Sequence, residues 1–304
     1  MLTRNTQQRL CLGKVGENVE GIAYVNDTYM PIETAGVSIE DRGFQFGDGV
    51  YEVIKAYRGI PFALEAHLNR LERSSRMLDL PLPKDRGELK ELISEALHKS
   101  GFCDAIIYLQ VTRGWAPRAH AFPDNVKPTF ILTVRKARSV PGEMYEHGAS
   151  AITVPDERWL RCDIKSICLL PNILAREKAN RAGAYDSILV REDGRVTEGT
   201  SSNVFAARSG RLYTPPEGRW ILSGVTRAIV LDLVSQEGIT VVRDFFDTEF
   251  LMSADEVFLT NTSVQVMPIV TIDEQPIGCG KPGTVTQRVM ELFEAEVLRR
   301  TGQS

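Results

Sequence analysis

Asp163-Ile-Lys-Ser-Ile-Cys-Leu-Leu170 and, further on, Val196-Thr-Glu-Gly-Thr-Ser-Ser-Asn-Val-Phe205 are the stretches whose reading decides the fold. Lys165 stands among Cys162, Ile164, Ile167, Cys168, Leu169 and Leu170, a surrounding expected to place its ammonium in an apolar pocket. Such a pocket disfavours the charged form, and a free amine is what a carbonyl compound needs to form a Schiff base. The same residues also suit an ordinary lysine at a strand end whose ammonium snorkels to solvent. The downstream pattern weighs against that. Pro171 to Ala182 reads as a helix, with proline in its first turn and Gly183 just past its end. Tyr185 to Arg191 reads as a strand, and after the turn Glu192–Arg195 a single carboxylate, Glu198, is followed by small hydroxyl residues and the amide of Asn203.

Lys165, the Thr197-Glu-Gly-Thr-Ser-Ser-Asn203 segment and Leu222-Ser-Gly-Val-Thr-Arg227 together resemble the pyridoxal-phosphate transaminases of fold type IV, and they occur in that family's order. The family includes D-amino-acid transaminases, branched-chain L-amino-acid transaminases and aminodeoxychorismate lyases. The resemblance runs from about residue 20 to the C-terminus. It implies an α+β chain with a smaller N-terminal α/β domain over 20–136, a linker over 137–143 and a larger β-barrel-like C-terminal domain over 144–304. The cofactor, pyridoxal 5′-phosphate, would lie in the cleft between the two domains. Residues 1–19 are polar, lack periodicity and read as an N-terminal extension.

Composition sets the outer bounds. A chain of 304 residues with 43% hydrophobic content can bury one large core or two ordinary ones, and two domains is the expectation. The formal net charge of -4 offers no basic field for nucleic acid, and no apolar run approaches a membrane span. The first residues lack the apolar core of a secretory signal, so a cytoplasmic protein is expected. Five scattered cysteines suit a reducing compartment better than a disulfide framework, and dispersed histidines give no zinc spacing, so no metal is expected.

In the first half, Gly21–Val25 and Tyr29–Ile32 read as a hairpin with its turn at Asn26-Asp27. Ile39 to Ile54 alternates glycines with aromatic residues and reads as a glycine-rich bend feeding a strand over Val50–Tyr57, with Glu52 and Ile54 on the face opposite Tyr51, Val53 and Lys55. Glu65–Leu80 and Asp85–Lys99 read as helices, the second opened by a capping box of Asp85 and Glu88. Ala105–Arg113 and Pro128–Arg135 read as strands around the aperiodic loop Gly114-Trp-Ala-Pro-Arg-Ala-His-Ala-Phe-Pro123. Arg70 falls off the apolar line of its helix, where an arginine is ordinarily solvated, and His67 reads as a packed structural residue.

The resemblance gives several of these residues a role. It implies that Tyr51 lies on the substrate side of the cofactor and that Arg70 reaches the phosphate. Arg118-Ala-His120 matches the element typical of the D-amino-acid branch, in which the arginine grips the α-carboxylate and the loop comes from the neighbouring subunit of a homodimer. Guanidinium and carboxylate form a natural bidentate pair.

In the second half, strands are expected over 149–154, 203–214 and 255–260, and helices over Val225–Ser235 and Thr284–Arg300. The start of the first of these helices is a ready phosphate site. The resemblance implies that Ser202, Asn203, Leu222, Gly224, Val225, Thr226, Asn261 and Thr262 contact the cofactor. Leu222 would pack on the pyridine ring. Lys165 and Glu198 would be the catalytic pair, Lys165 moving protons and Glu198 facing the pyridine nitrogen. The implied reaction moves the amino group of a D-amino acid such as D-alanine to 2-oxoglutarate, giving D-glutamate and an oxo acid. Branched-chain L-transamination and aminodeoxychorismate lysis are the alternatives.

Overall fold

The computed structural model describes residues 21–302, so the expected extension over 1–19 lies outside the described residues. β1 (Gly21–Val25) and β2 (Thr28–Pro31) pair around Asn26 and Asp27, both with positive φ, as a two-residue primed turn requires. The stretch expected as a bend contains a short helix instead, α1 (Arg42–Phe46). Asp41 caps its start by accepting from the Gly43 amide, and Gly47, with φ 69°, ends it.

β3 (Gly49–Tyr57) follows with the expected alternation, its Glu52 and Ile54 fully buried. β4 (Ile60–Pro61) turns back into α2 (Leu64–Met77), which stops short of the expected Leu80 because Asp79 takes a positive φ. α3 (Arg86–Ser100) opens on the full capping box of Asp85 and Glu88. β5 (Ala105–Thr112) and β6 (Thr129–Lys136) complete an antiparallel sheet ordered β2-β1-β6-β5-β3-β4. One face of this sheet, with Ile54, Ile107, Leu109 and Leu132, packs on Leu68 and Leu71 of α2 and Leu89 and Ile93 of α3.

After α4 (Gly142–His147), β7 (Ala149–Pro155) begins a second sheet. α5 (Leu170–Arg181) leads to β8 (Asp186–Val190), β9 (Val196–Gly199) and β10 (Asn203–Arg208). The single strand expected over 203–214 is a hairpin: Ser209 and Gly210, both with positive φ, turn the chain into β11 (Arg211–Thr214). α6 (Val225–Gln236), β12 (Val241–Arg243), α7 (Thr248–Met252), β13 (Glu256–Asn261), β14 (Gln265–Ile272), β15 (Gln275–Pro276) and α8 (Thr284–Arg300) complete the chain.

The strand order β10-β13-β14-β7-β8-β9 closes on itself, because β9 also pairs with β10 through Glu198 opposite Asn203. The barrel is buried on both faces. Along β10, Val204 and Ala206 join one core cluster with Leu259 and Met267, while Phe205 and Ala207 join another with Val230 of α6 and Phe293 of α8.

The two sheets are joined directly beside the expected lysine. The Tyr51 amide donates to the Lys165 carbonyl at 3.0 Å and the Ile167 amide to the Gly49 carbonyl at 3.1 Å, so residues 165–167 extend the open end of β3. The Lys165 amide donates to Ser74 Oγ of α2 at 3.2 Å. The backbone of a residue that precedes β8 is thus held by the first sheet.

Candidate active site

A cavity of about 190 Å³ lies where the two sheets meet. Tyr51, Arg70 and Lys165 line it with Glu198, Ser202, Asn203, Leu222, Gly224, Val225, Thr226, Asn261 and Thr262. Every expected cofactor residue therefore faces one space. Arg118 and His120 do not: both are exposed on the loop after β5, with Arg118 4.6 Å from the centroid of the Phe46 ring.

Lys165 is half-buried, its ammonium 4.2 Å from the centroid of the Tyr51 ring. The wholly apolar pocket expected for it is not formed. Cys162, Ile164, Cys168 and Leu169 do line the cavity, but Leu170 is exposed outside it and the rest of the wall is rich in hydroxyls and amides. The ring, together with the pinned backbone, aims the amine into the cavity.

Glu198 is buried on the barrel seam and surrounded by donors. Its Oε2 accepts from the Leu222 amide and from Asn203 Nδ2, each at 3.0 Å, and its Oε1 pairs with Arg158 Nη1. Burial pushes its carboxyl above the usual carboxylate range, and Arg158 pulls against it. Both oxygens meet donors only, the setting of an anion whose burial is incompletely offset and which still favours a further cationic N–H.

No motif in the sequence points to Arg158. It is buried, grips Asp156 through Nε at 2.8 Å and Nη2 at 2.9 Å, and reaches the Trp220 carbonyl at 3.3 Å. Burial alone would lower its guanidinium, but Glu198 and Asp156 hold it above the usual arginine range. The only signal for it is indirect: a glutamate buried within a barrel requires a cation, and Val154-Pro-Asp-Glu-Arg158 supplies one at the end of β7.

Arg70 is buried, contrary to the ordinary expectation for its position. Its Nε and Nη2 clasp Glu52 at 2.7 and 2.9 Å, and Nη1 donates to the Ser223 carbonyl at 3.1 Å. His67 Nδ1 lies 2.8 Å from the same carboxylate, as a packed structural histidine should. Burial would raise the Glu52 carboxyl, but Arg70 and His67 bring it down to about 2.

The donors for an anion gather elsewhere on the wall. Gly224 caps α6 without a side chain, which leaves the amides of Val225 and Thr226 for a ligand. A Cβ on Gly224 would fall 2.0 Å from Asn203 Oδ1. Thr260 Oγ1, outside every expected motif, is buried without a partner on the same wall. Asn261 Oδ1 accepts from the amides of Ser263 and Val264, leaving the Thr262 hydroxyl the freer side-chain group of that pair. Ser202 donates to Asp186 Oδ2 at 2.8 Å, so it can offer only oxygen lone pairs or its amide.

These features fit pyridoxal phosphate. The start of α6, the unpartnered Thr260 hydroxyl and the remaining N–H groups of Arg70 suit a phosphate, and Glu198 suits a protonated ring nitrogen.

The model of the amino-transferase class IV family matches residues 49–272. The D-alanine aminotransferase of Bacillus licheniformis is 42% identical over 282 residues, which is 92% of this chain and 98% of that protein. The D-alanine aminotransferase of Staphylococcus epidermidis is 43% identical over 271 residues, 89% of this chain and 96% of that one. The solved T.th. branched-chain amino acid aminotransferase with pyridoxamine 5′-phosphate superimposes with a TM-score of 0.85 at 29% identity, covering 94% of this chain and 95% of its own.

Proposed function

Because the chain belongs to the class IV aminotransferases and is a pyridoxal-phosphate-dependent enzyme, we propose that it moves the amino group of D-amino acids such as D-alanine to 2-oxoglutarate, giving D-glutamate and an oxo acid. The observation that carries the chemistry is the one cavity that gathers Lys165, Glu198 and the start of α6, whose glycine cap leaves its first amides free of side-chain acceptors. The relatives at 42% and 43% identity are D-alanine aminotransferases, whereas the branched-chain structure stands at 29%, which favours the D-branch.

When bound, pyridoxal phosphate supplies the electron sink that takes up the Cα electrons of the amino acid. Lys165 Nζ, reaching from a backbone fixed to β3 and α2, would take and return the proton of the substrate Cα. Glu198 would hold a proton on the ring nitrogen of the bound cofactor. Arg70, the amides of Val225 and Thr226, and the hydroxyls of Thr226 and Thr262 would bind its phosphate. Leu222 would pack on its ring, and Tyr51 would border the substrate. Which side of the ring receives the carboxylate fixes the enantiomer whose Cα hydrogen faces Lys165.

Arg118 and His120 hold the substrate carboxylate in the cavity of a second protomer. That neither lines the cavity of its own chain supports this, as do the exposed Trp115, Phe122, Phe44 and Ile39 around the loop. The chain is read as two domains over 20–136 and 144–304 joined by 137–143, a division that the two separate sheets support. Free, mostly exposed cysteines support a cytoplasmic setting.

Paired D and L donors with 2-oxoglutarate test the reading. Turnover of D-alanine, lost in Arg118→Ala with the bound-cofactor absorbance intact, is expected. Turnover of L-leucine but not D-alanine would replace it with the branched-chain alternative, and pyruvate release without an acceptor would point to a lyase.

A further inference from the structure

Arg42, at the start of α1, is only 3% exposed and does not line the cavity. Its Nε donates to Asp48 Oδ2 at 2.8 Å. The rest of its guanidinium turns to the loop after β5. Nη1 donates to the carbonyls of Ala119 and Ala121 at 2.5 and 3.3 Å, and Nη2 to that of His120 at 3.4 Å. Three consecutive carbonyls thus converge on one planar fork of donors, a geometry that lysine cannot reproduce.

The fork is itself anchored. Asp48 also accepts from Arg113 Nε and Nη2 at 2.9 and 3.1 Å, and Arg113 donates to the carbonyls of Leu78 and Asp79 where α2 ends. At the near end of the loop, the Arg42 amide donates to the Gly114 carbonyl at 2.9 Å. The Phe46 ring faces His120, 5.8 Å between centroids. The side chains of Arg118 and His120 are exposed, so burial does not hold them; contacts with α1 do, through the Arg42 bonds to the carbonyls of 119–121, the Phe46 ring beside both side chains and a 3.5 Å bond from Arg118 Nη1 to Gln45 Oε1.

We propose that Arg42 is a positioning residue for recognition of the substrate carboxylate: by gathering the carbonyls of residues 119–121 it sets where Arg118 and His120 stand. The inference rests on the reading that Arg118 grips that carboxylate. Without Arg42 the loop keeps its ends but loses its centre, and Arg118 no longer stands at a fixed distance from the carboxylate. Amino donor and oxo-acid acceptor share that group, so both KM values rise, while the cofactor, bound by other residues, is unaffected.

The test compares Arg42→Ala, Arg118→Ala and the double variant as holoenzymes, reading kcat and KM for D-alanine and 2-oxoglutarate, bound-cofactor absorbance and thermal midpoint. Expected for Arg42→Ala is a fall in kcat/KM of up to about 10²-fold, carried mainly by both KM values, with unchanged absorbance. The double variant should be no worse than Arg118→Ala, because two residues serving one contact do not add. Full additivity, or a fall in kcat with lost absorbance, would overturn the inference while leaving Arg118 in its role. An Arg118→Ala variant with unaltered KM would instead remove the reading on which it rests. Should Arg42→Ala not fold, Arg42→Lys and Arg42→Gln are judged by the same KM criterion, with lysine expected to recover part of the loss.

Discussion

Replacing Arg158 by methionine leaves Glu198 and Asp156 without the cation that joins them. Their side chains are 7% and 0% exposed, and Arg158 itself is 6% exposed. Stranding a buried charge in this way costs about 3–5 kcal/mol. A second route gives a similar figure. Glu198 can escape by binding a proton, which for a glutamate that is ordinarily near 4.5 costs about 1.4 kcal/mol per pH unit, hence about 3 kcal/mol at pH 7. Asp156 keeps Arg191 Nη1 at 3.6 Å, so Glu198 is the carboxyl that protonates.

The sign of the pH dependence follows. Removing Arg158 leaves burial unopposed and raises the Glu198 carboxyl further. A group raised in the folded state contributes stability that is present below its unfolded value and lost as pH rises. The deficit of Arg158→Met relative to the parent should therefore shrink from about 3 kcal/mol at pH 7 to about 1 kcal/mol at pH 5. Urea unfolding of the cofactor-free proteins at both pH values measures it. In the holoenzyme, the acidic limb of kcat/KM should move to higher pH, since a protonated Glu198 cannot hold a proton on the ring nitrogen. A deficit that is the same at pH 5 and pH 7, together with an unmoved acidic limb, would refute the role given to the pair.

Two further outcomes are expected. The Glu52 carboxyl, near 4.5 when unfolded and held at about 2 by Arg70 and His67, contributes about 3 kcal/mol that is present above pH 4.5 and lost as pH falls toward 2. Urea midpoints of Glu52→Gln should therefore be lower at neutral pH and flatter below pH 4.5, and curves parallel to the parent would count against the clasp. Gly224→Ala drives a Cβ against Asn203 Oδ1 and disturbs the amide that holds Glu198. It should cost about 1–3 kcal/mol and weaken cofactor binding at least tenfold by absorbance titration, whereas unchanged binding would show that the wall tolerates a side chain there.

Local chemistry is legible in the sequence. The Asp85–Glu88 capping box, the Asn26-Asp27 turn and the alternation along β3 each depend on residues within a few positions of one another, and the structure contains all three. The cofactor wall is legible only through motif resemblance, and the cavity brings those residues together. What escapes depends on contacts between distant segments or on a single side chain. The hairpin at Ser209-Gly210 is the exception: the polar break Arg208-Ser-Gly-Arg211 is a local turn signal, outweighed in the one-strand reading by the apolar runs on either side. α1 reads as a bend because its helical start rests on one aspartate cap. Arg158 and Arg42 have partners 40 and 77 residues away, beyond the reach of any local pattern.

The way Lys165 is mounted has a consequence for anyone recombining relatives of this enzyme. The amine is supplied by the chain of the barrel, yet its main chain is an added rung on β3. A chimera taking residues through 136 from one parent and the remainder from another would carry a complete set of reactive groups and could still misplace its amine, because the span to Glu198 is written jointly by Gly49–Tyr51 and Lys165–Ile167. Crossover points that keep those two triplets from a single parent should yield active hybrids, and those that split them should yield folded proteins that turn over slowly.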